Sequence, residues 1–396
     1  MHAPVARLLG GVSLVLLAVA CTNDDDGREP ASSESQPSVA EAVEETPAGT
    51  GTPAPAKGEP GYESLPTCEG RKPATILGTP GDDRIVGTRE DDVIVTFGGD
   101  DHVSGLRDKD RVCTGSGDDT VTNSARPWWI DLAAGDDRVS GIKGVSDIKG
   151  GTGDDRFTLP IDRFDIDAGP GNDTVRVVPG GPPDFPYGIA GNSPCPNYLA
   201  AVRPVHVDLL RGFARGQGHD RLINVHCVYG SRFDDRIIGS RYDDDIDPVG
   251  GSDEVWSLDG NDSVGDISYP GAADVFHLGA GNDNAMSGGG PDRVYGDSGN
   301  DFVETAGGAD YLEGGEGNDV LHASYRCDGG NSGGAGTIDD LPNEVFGGPG
   351  DDHLTGDLGN DRIDGGTGID EGHGGHEDGR IDWIESLERI VICETY

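Results

Sequence analysis

Lysine is nearly missing from this chain. Lys57, Lys72, Lys109, Lys143 and Lys149 stand among only 29 basic residues, against 73 Asp and Glu in 396, for a formal net charge of −44. That balance excludes nucleic acid and anionic lipid as direct partners and favours cations. The arginine preference reflects genome base composition more simply than function. Aromatic residues supply 6% and hydrophobic types 34%, little with which to build a thick core. Long apolar runs are scarce too: Leu8 to Ala20 spans 13 residues, too few for a transmembrane helix. No HExxH occurs, which removes the zinc-protease signature.

The first 20 residues have the form of a secretory signal, with Arg7 before the apolar stretch and LLAVAC at its end. Cleavage before Cys21 satisfies both the A-x-A rule and a lipoprotein-type box, so Cys21 is the candidate lipidation site and the only expected link to a membrane. Removing Cys21 leaves six cysteines, an even set suited to an oxidising compartment. Sequence neighbours favour the pairs Cys68–Cys113, Cys195–Cys227 and Cys327–Cys393. Residues 21–61 carry Asp24-Asp25-Asp26 and then a tract rich in Pro, Ala, Ser, Thr and Glu, read as a disordered tether whose ends stand roughly 35 Å apart.

What the chain has in excess is glycine, 67 residues of it, set at a regular spacing with aspartate. In GTPGDDRIVGTREDDVIV (78–95) an acidic pair precedes an apolar strand and the pattern recurs nine residues later. The second acid falls at Asp83, Asp92, Asp101, Asp110 and Asp119, then at Asp137, Asp155 and Asp173. From Ile85 to Val175 all eleven residues two places after the acid position are apolar. The same spacing resumes at Asp235, Asp244, Asp253 and Asp262. After a three-residue insertion it continues at Asp274, Asp283, Asp292, Asp301, Asp310 and Asp319, and after a second interruption at Asn343, Asp352, Asp361 and Asp370. A repeat of this length calls for a solenoid before any other fold is considered.

Units such as GGTGDDRFT (150–158) and GGEGNDVLH (314–322) match GGxGxDxUx, and the chain resembles the RTX, or hemolysin-type, calcium-binding repeat family over most of 76–373. The resemblance implies an all-β fold, a parallel β-roll with two nonapeptides per coil, six residues of each forming a turn and three a strand. It also implies several Ca2+ ions held by the second acids named above and by turn carbonyls. Physical chemistry points the same way. Glycine supplies the positive φ of tight turns, and a three-residue strand points only its middle residue inward. Acids 18 residues apart then stack about 4.8 Å apart, repelling by roughly 3 kcal/mol at an effective dielectric of 20. Calcium–oxygen bonds of about 2.3–2.6 Å fit that spacing across one ion, whereas magnesium needs a tighter cage.

The expected organisation is a signal at 1–20, the tether at 21–61, and a first roll block with its cap at 62–176. An insertion with a flanking strand pair follows at 177–229, a second block at 230–322, an insertion at 323–342, the last repeats at 343–373 and a cap at 374–396. Of the first block's two edges, one keeps acids from Asp83 to Asp173. The other passes from Asp110 to Trp128, Ser146 and Phe164, so calcium is expected along the first and to stop after Asp110 on the second, with Trp128 and Phe164 covering the stack. Glu371, His373, His376, Glu377 and Asp378 form a weaker rival metal cluster. The functional expectation is an exported, non-enzymatic calcium-binding repeat protein that folds on calcium. The alternatives are an adhesin or cell-wall module with a glycan or protein partner at the cell surface, and a polysaccharide-acting enzyme.

Overall fold

The computed structural model describes residues 50–393 except 56–60, 62–64, 69, 71, 108, 124–126, 144–146, 163, 179–193, 266–270, 324–340, 357–359, 376–382 and 386–388. Contacts divide the chain into Met1–Glu45, outside those residues, and Thr46–Tyr396. Cys21, Ser146, Cys327, His376, Glu377 and Asp378 also lie outside them.

Every element among the described residues is a strand, most of them three residues long with the middle one buried, as in Arg84–Val86 and Arg236–Ile238. Strands 18 residues apart pair in parallel, so like residues stack. Ile85, Val103, Val121, Val139, Phe157 and Val175 form one inward row. Ile76, Ile94, Val112, Ile130, Ile148 and Ile166 face it from the opposite sheet. The two rows meet in one hydrophobic core that runs on to Ile363, a core one or two side chains thick, as a composition poor in apolar residues requires. The turns between strands have little lateral room. Gly117 sits at φ 123°, and a Cβ there would strike the Gly99 carbonyl of the preceding coil.

The insertion after the first block leaves one sheet continuous; the other ends at Pro194–Pro196, and a separate sheet begins at Cys227–Tyr229. Where sequence alternation suggests a strand pair, the chain makes a meander of His206–Asp208, Phe213–Arg215 and His219–Ile223. Its outer strands pair in parallel with Thr174–Val178 on one side and Arg236–Ile238 on the other, and only the middle strand runs antiparallel. Val225 lies between the strands His219–Ile223 and Cys227–Tyr229, where the chain crosses from one face to the other. On that other face Asn197 bridges Tyr229, and the Cys195–Cys227 disulfide ties Pro194–Pro196, the last strand of one sheet, to Cys227–Tyr229, the first of the next. The Cys68–Cys113 disulfide also forms; it anchors a small outer cluster of Ala74, Val93, Val95 and Trp129 beneath the N-terminal segment.

The later interruptions are absorbed in the same way: Val255 pairs with Phe276 across the three-residue insertion, and Leu312 with Val345 across the longer one. Thr52–Pro53, at the end of the stretch read as tether, pairs antiparallel with Ile76–Leu77. Trp383–Glu385 and Arg389–Cys393 add a strand to each sheet at the C-terminal end of the roll.

Candidate metal centres

Each six-residue turn delivers its second acid to the base of the next strand, and the tight turn folds that side chain back under the loop. All 21 aspartates expected as ligands are buried, none more than 3% exposed. They stand in rows. The backbone N–H of one acid donates to Oδ1 of the acid one coil further on: Asp83 to Asp101, Asp101 to Asp119, Asp119 to Asp137, Asp137 to Asp155 and Asp155 to Asp173, at 2.7–2.9 Å. Asp92 and Asp110 make the same bond on the opposite edge. In the second block one row runs Asp235, Asp253, Asp274, Asp292, Asp310, Asn343 and Asp361. The other runs Asp244, Asp262, Asp283, Asp301, Asp319, Asp352 and Asp370.

The first acid of each pair forms a second ladder of opposite polarity. Asp100 N–H donates back to Asp82, Asp118 to Asp100 and Asp136 to Asp118. In the second block Asn300 donates to Asn282 and Asn318 to Asn300. This outer position needs one acceptor oxygen, which an amide or hydroxyl supplies as well as a carboxylate. The inner position uses one oxygen for its rung as well, yet it stays aspartate at every described turn of the second block except Asn343.

The second inner oxygen accounts for the difference. At Asp137, Asp155, Asp173, Asp274, Asp283, Asp301, Asp319 and Asp352 that oxygen is buried without a hydrogen-bond partner. Burial alone pushes these carboxyls up, against the rung N–H that pulls them down, and neighbouring acids raise most of them further. Asp137 and Asp173 reach about 8, Asp155 and Asp301 about 7, and Asp274, Asp283 and Asp352 about 6. A buried unpaired carboxylate is costly, and a row of them is intelligible if a cation completes it.

What lies beside that oxygen depends on the residue five places before the acid. At Gly150, Gly296, Gly314 and Gly347 an added Cβ would fall against Oδ2 of Asp155, Asp301, Asp319 and Asp352, and against the carbonyl oxygen of Ala168, Gly314, Gly347 and Gly365 in the next coil. Each glycine therefore leaves a small cradle lined by carboxylate and carbonyl oxygen, the donor set of a hard cation such as calcium. At five other turns a hydroxyl takes that place. Ser287 and Thr305 donate to Oδ2 of Asp292 and Asp310 at 2.6 and 2.7 Å, while Thr96, Thr114 and Ser257 donate to the next coil's carbonyl. Beside Asp137 and Asp283 the position is buried leucine, Leu132 and Leu278. At the starts of rows, Thr88, Ser231 and Ser240 bond Asp92, Asp235 and Asp244 through both N–H and hydroxyl.

Among the described residues no three His, Cys, Asp or Glu side chains form a metal-binding group, so each cradle draws on few carboxylates and on main-chain oxygen. Of the rival cluster, Glu371 and His373 lie 3.5 Å apart. On the second edge Trp128 N–H donates to the Asp110 carbonyl and its ring, 49% exposed, lies under the Arg111 guanidinium, whereas Phe164 sits in the core. Two members of the rows escape the nine-residue spacing. Asp220 accepts from Asp173 N–H across 47 residues, and its other oxygen takes the buried Tyr198 hydroxyl at 3.0 Å. Only the folded meander brings them together.

No curated protein matches the chain. The family description "RTX calcium-binding nonapeptide repeat (4 copies)" matches residues 77–112, 98–121, 229–264, 286–321 and 339–371, which carry most of the acid rows. The protein carries RTX calcium-binding nonapeptide repeats, and these repeats wind its parallel β-roll.

Proposed function

We propose that this is an exported calcium-binding protein whose roll folds when calcium fills the glycine cradles between coils. The observation that supports this reading is the pairing of a buried, partnerless carboxylate oxygen with a glycine-opened, carbonyl-lined space, repeated at Asp155, Asp301, Asp319 and Asp352. Calcium supplies charge compensation there when bound; the aspartates supply two charges per coil interface and the glycines the room. The remaining aspartates of the rows are rungs, and those facing Ser287, Thr305, Thr96, Thr114, Leu132 or Leu278 are weaker ligands or none. This narrows the uniform row that sequence spacing suggests for the first edge.

Folding follows from charge. Without calcium the glycine-rich chain gives up much backbone entropy for a thin core while confining like charges. Circular dichroism should show little strand signal in excess chelator at neutral pH and strong strand signal in millimolar calcium; identical spectra would refute the proposal. The signal-like residues 1–20 and the two disulfides favour a position outside the cell, with Cys21 as the lipid-bearing anchor. Replacing Cys21 with Ser should move the protein from membranes to the medium, and unchanged membrane retention would count against the anchor.

A further inference from the structure

A pocket of about 520 Å³ opens where the meander meets the second block, and its charge is the inverse of the chain's. Asp and Glu make up nearly a fifth of the sequence, yet none lines this pocket, whereas Arg211, Arg221 and Arg241 do. The three arginines come from separate segments: the turn after His206–Asp208, the strand His219–Ile223, and the turn before Asp245–Asp247. Arg211 is held by the buried Asp208 carboxylate at 2.6 Å. Arg221 and Arg241 have no acidic partner among the described residues, so their guanidiniums are available to a ligand.

The rest of the lining is suited to an uncharged polar body. His226, nine-tenths buried, places Nδ1 3.2 Å from both Ser240 Oγ and Asp244 Oδ1. With the carboxylate accepting, Nδ1 carries the hydrogen, and Nε2, which bonds no described residue, is left as an acceptor for a hydroxyl. The Tyr242 ring meets His226 edge-on at 5.1 Å and is 52% exposed, leaving apolar surface for a C–H face. Leu209, Leu222 and Val225 complete an apolar flank. The volume suits one or two sugar rings.

We propose that this pocket binds an acidic sugar, a uronate or a short uronate oligomer, through bidentate guanidinium–carboxylate contacts from Arg221 and Arg241, with a hydroxyl directed to His226. The site needs the roll to be folded, and it is distinct from the cradles, which attract cations.

The test is calorimetric titration of the full calcium-loaded chain with trigalacturonate, maltotriose and inorganic phosphate. Trigalacturonate should bind and maltotriose should not. An Arg221→Ala/Arg241→Ala variant should lose at least tenfold in affinity with unchanged calcium stoichiometry and strand signal, and the double Lys variant should recover part of the loss. Equal binding by the Ala variant would mean that calcium on the roll bridges the uronate, and would overturn the pocket. So would no binding of trigalacturonate, equal affinity for maltotriose, or phosphate binding as tightly as the sugar. Loss of calcium binding would bear on the roll's function alone.

Discussion

At the scale of single residues the repeat assigns its two acids different work. The outer one is a hydrogen-bond acceptor, and Asn282, Asn300 and Ser252 serve there without loss. The inner one carries a charge that its own hydrogen bonds do not need. The residue five places earlier decides whether that charge faces a glycine-opened space, a hydroxyl or a leucine. Replacing both Ser287 and Thr305 with Gly should therefore raise calcium stoichiometry, by up to two ions per chain, because Asp292 and Asp310 lose their hydroxyl partners and gain a cradle. Gly314→Ala should lower it, since the methyl would fall against Asp319 Oδ2 and the Gly347 carbonyl. Equilibrium dialysis with calcium measured by elemental analysis distinguishes these outcomes. Unchanged stoichiometry in both variants would remove the proposed role of this position.

Among elements, the three-residue strands were legible from the period of nine, because one inward residue per strand leaves an unmistakable apolar row. The connections were not. A meander with one antiparallel strand carries the sheet across the first insertion, and its alternation reads as a simple strand pair until pairing partners are known. The Tyr198–Asp220 bond closes the first block's acid row there, occupying with a phenol the oxygen that other rungs leave bare. On the outer face of the second block Trp256, His277 and Tyr295 stack at 5.8 and 4.6 Å, nearly parallel, and Arg236 covers the end at 4.4 Å. Sequence spacing does not announce this stack, because outward positions alternate freely with Glu254, Arg293 and Glu313. The stacked rings spend their faces on each other, so they reinforce the sheet.

Over the whole molecule the buried carboxyls couple folding to pH and, on the proposed reading, to calcium. Asp137, Asp173, Asp262 and Asp292, displaced by burial from an ordinary 3.8 to about 8, hold protons more tightly in the roll than in the unfolded chain. The metal-free fold is therefore strongest near and below the ordinary value and weakens as pH rises through about 8. On the proposed reading calcium reverses the dependence at the cradle acids, Asp155 and Asp301 near 7 and Asp352 near 6, since it would bind their ionised form. In chelator, strand signal should be greatest near pH 5 and fall toward pH 8. In millimolar calcium it should persist at pH 8. A chelated chain that gains structure as pH rises would contradict the burial argument. This couples to the core's thinness: few apolar contacts stand against many confined charges, so proton or cation decides the balance.

The linear sequence by itself determined the roll, its period, the inward apolar row and the acid positions, because each depends on neighbours nine or eighteen residues away at a constant spacing. Tertiary structure alone showed that the residue five places before each acid stands beside that acid's second oxygen and a carbonyl of the next coil, because the turn folds back under the neighbouring coil. It also decided where three arginines separated by up to 30 residues converge, because a pocket is made by segments whose distance in space is set by the meander's pairing and not by their distance along the chain.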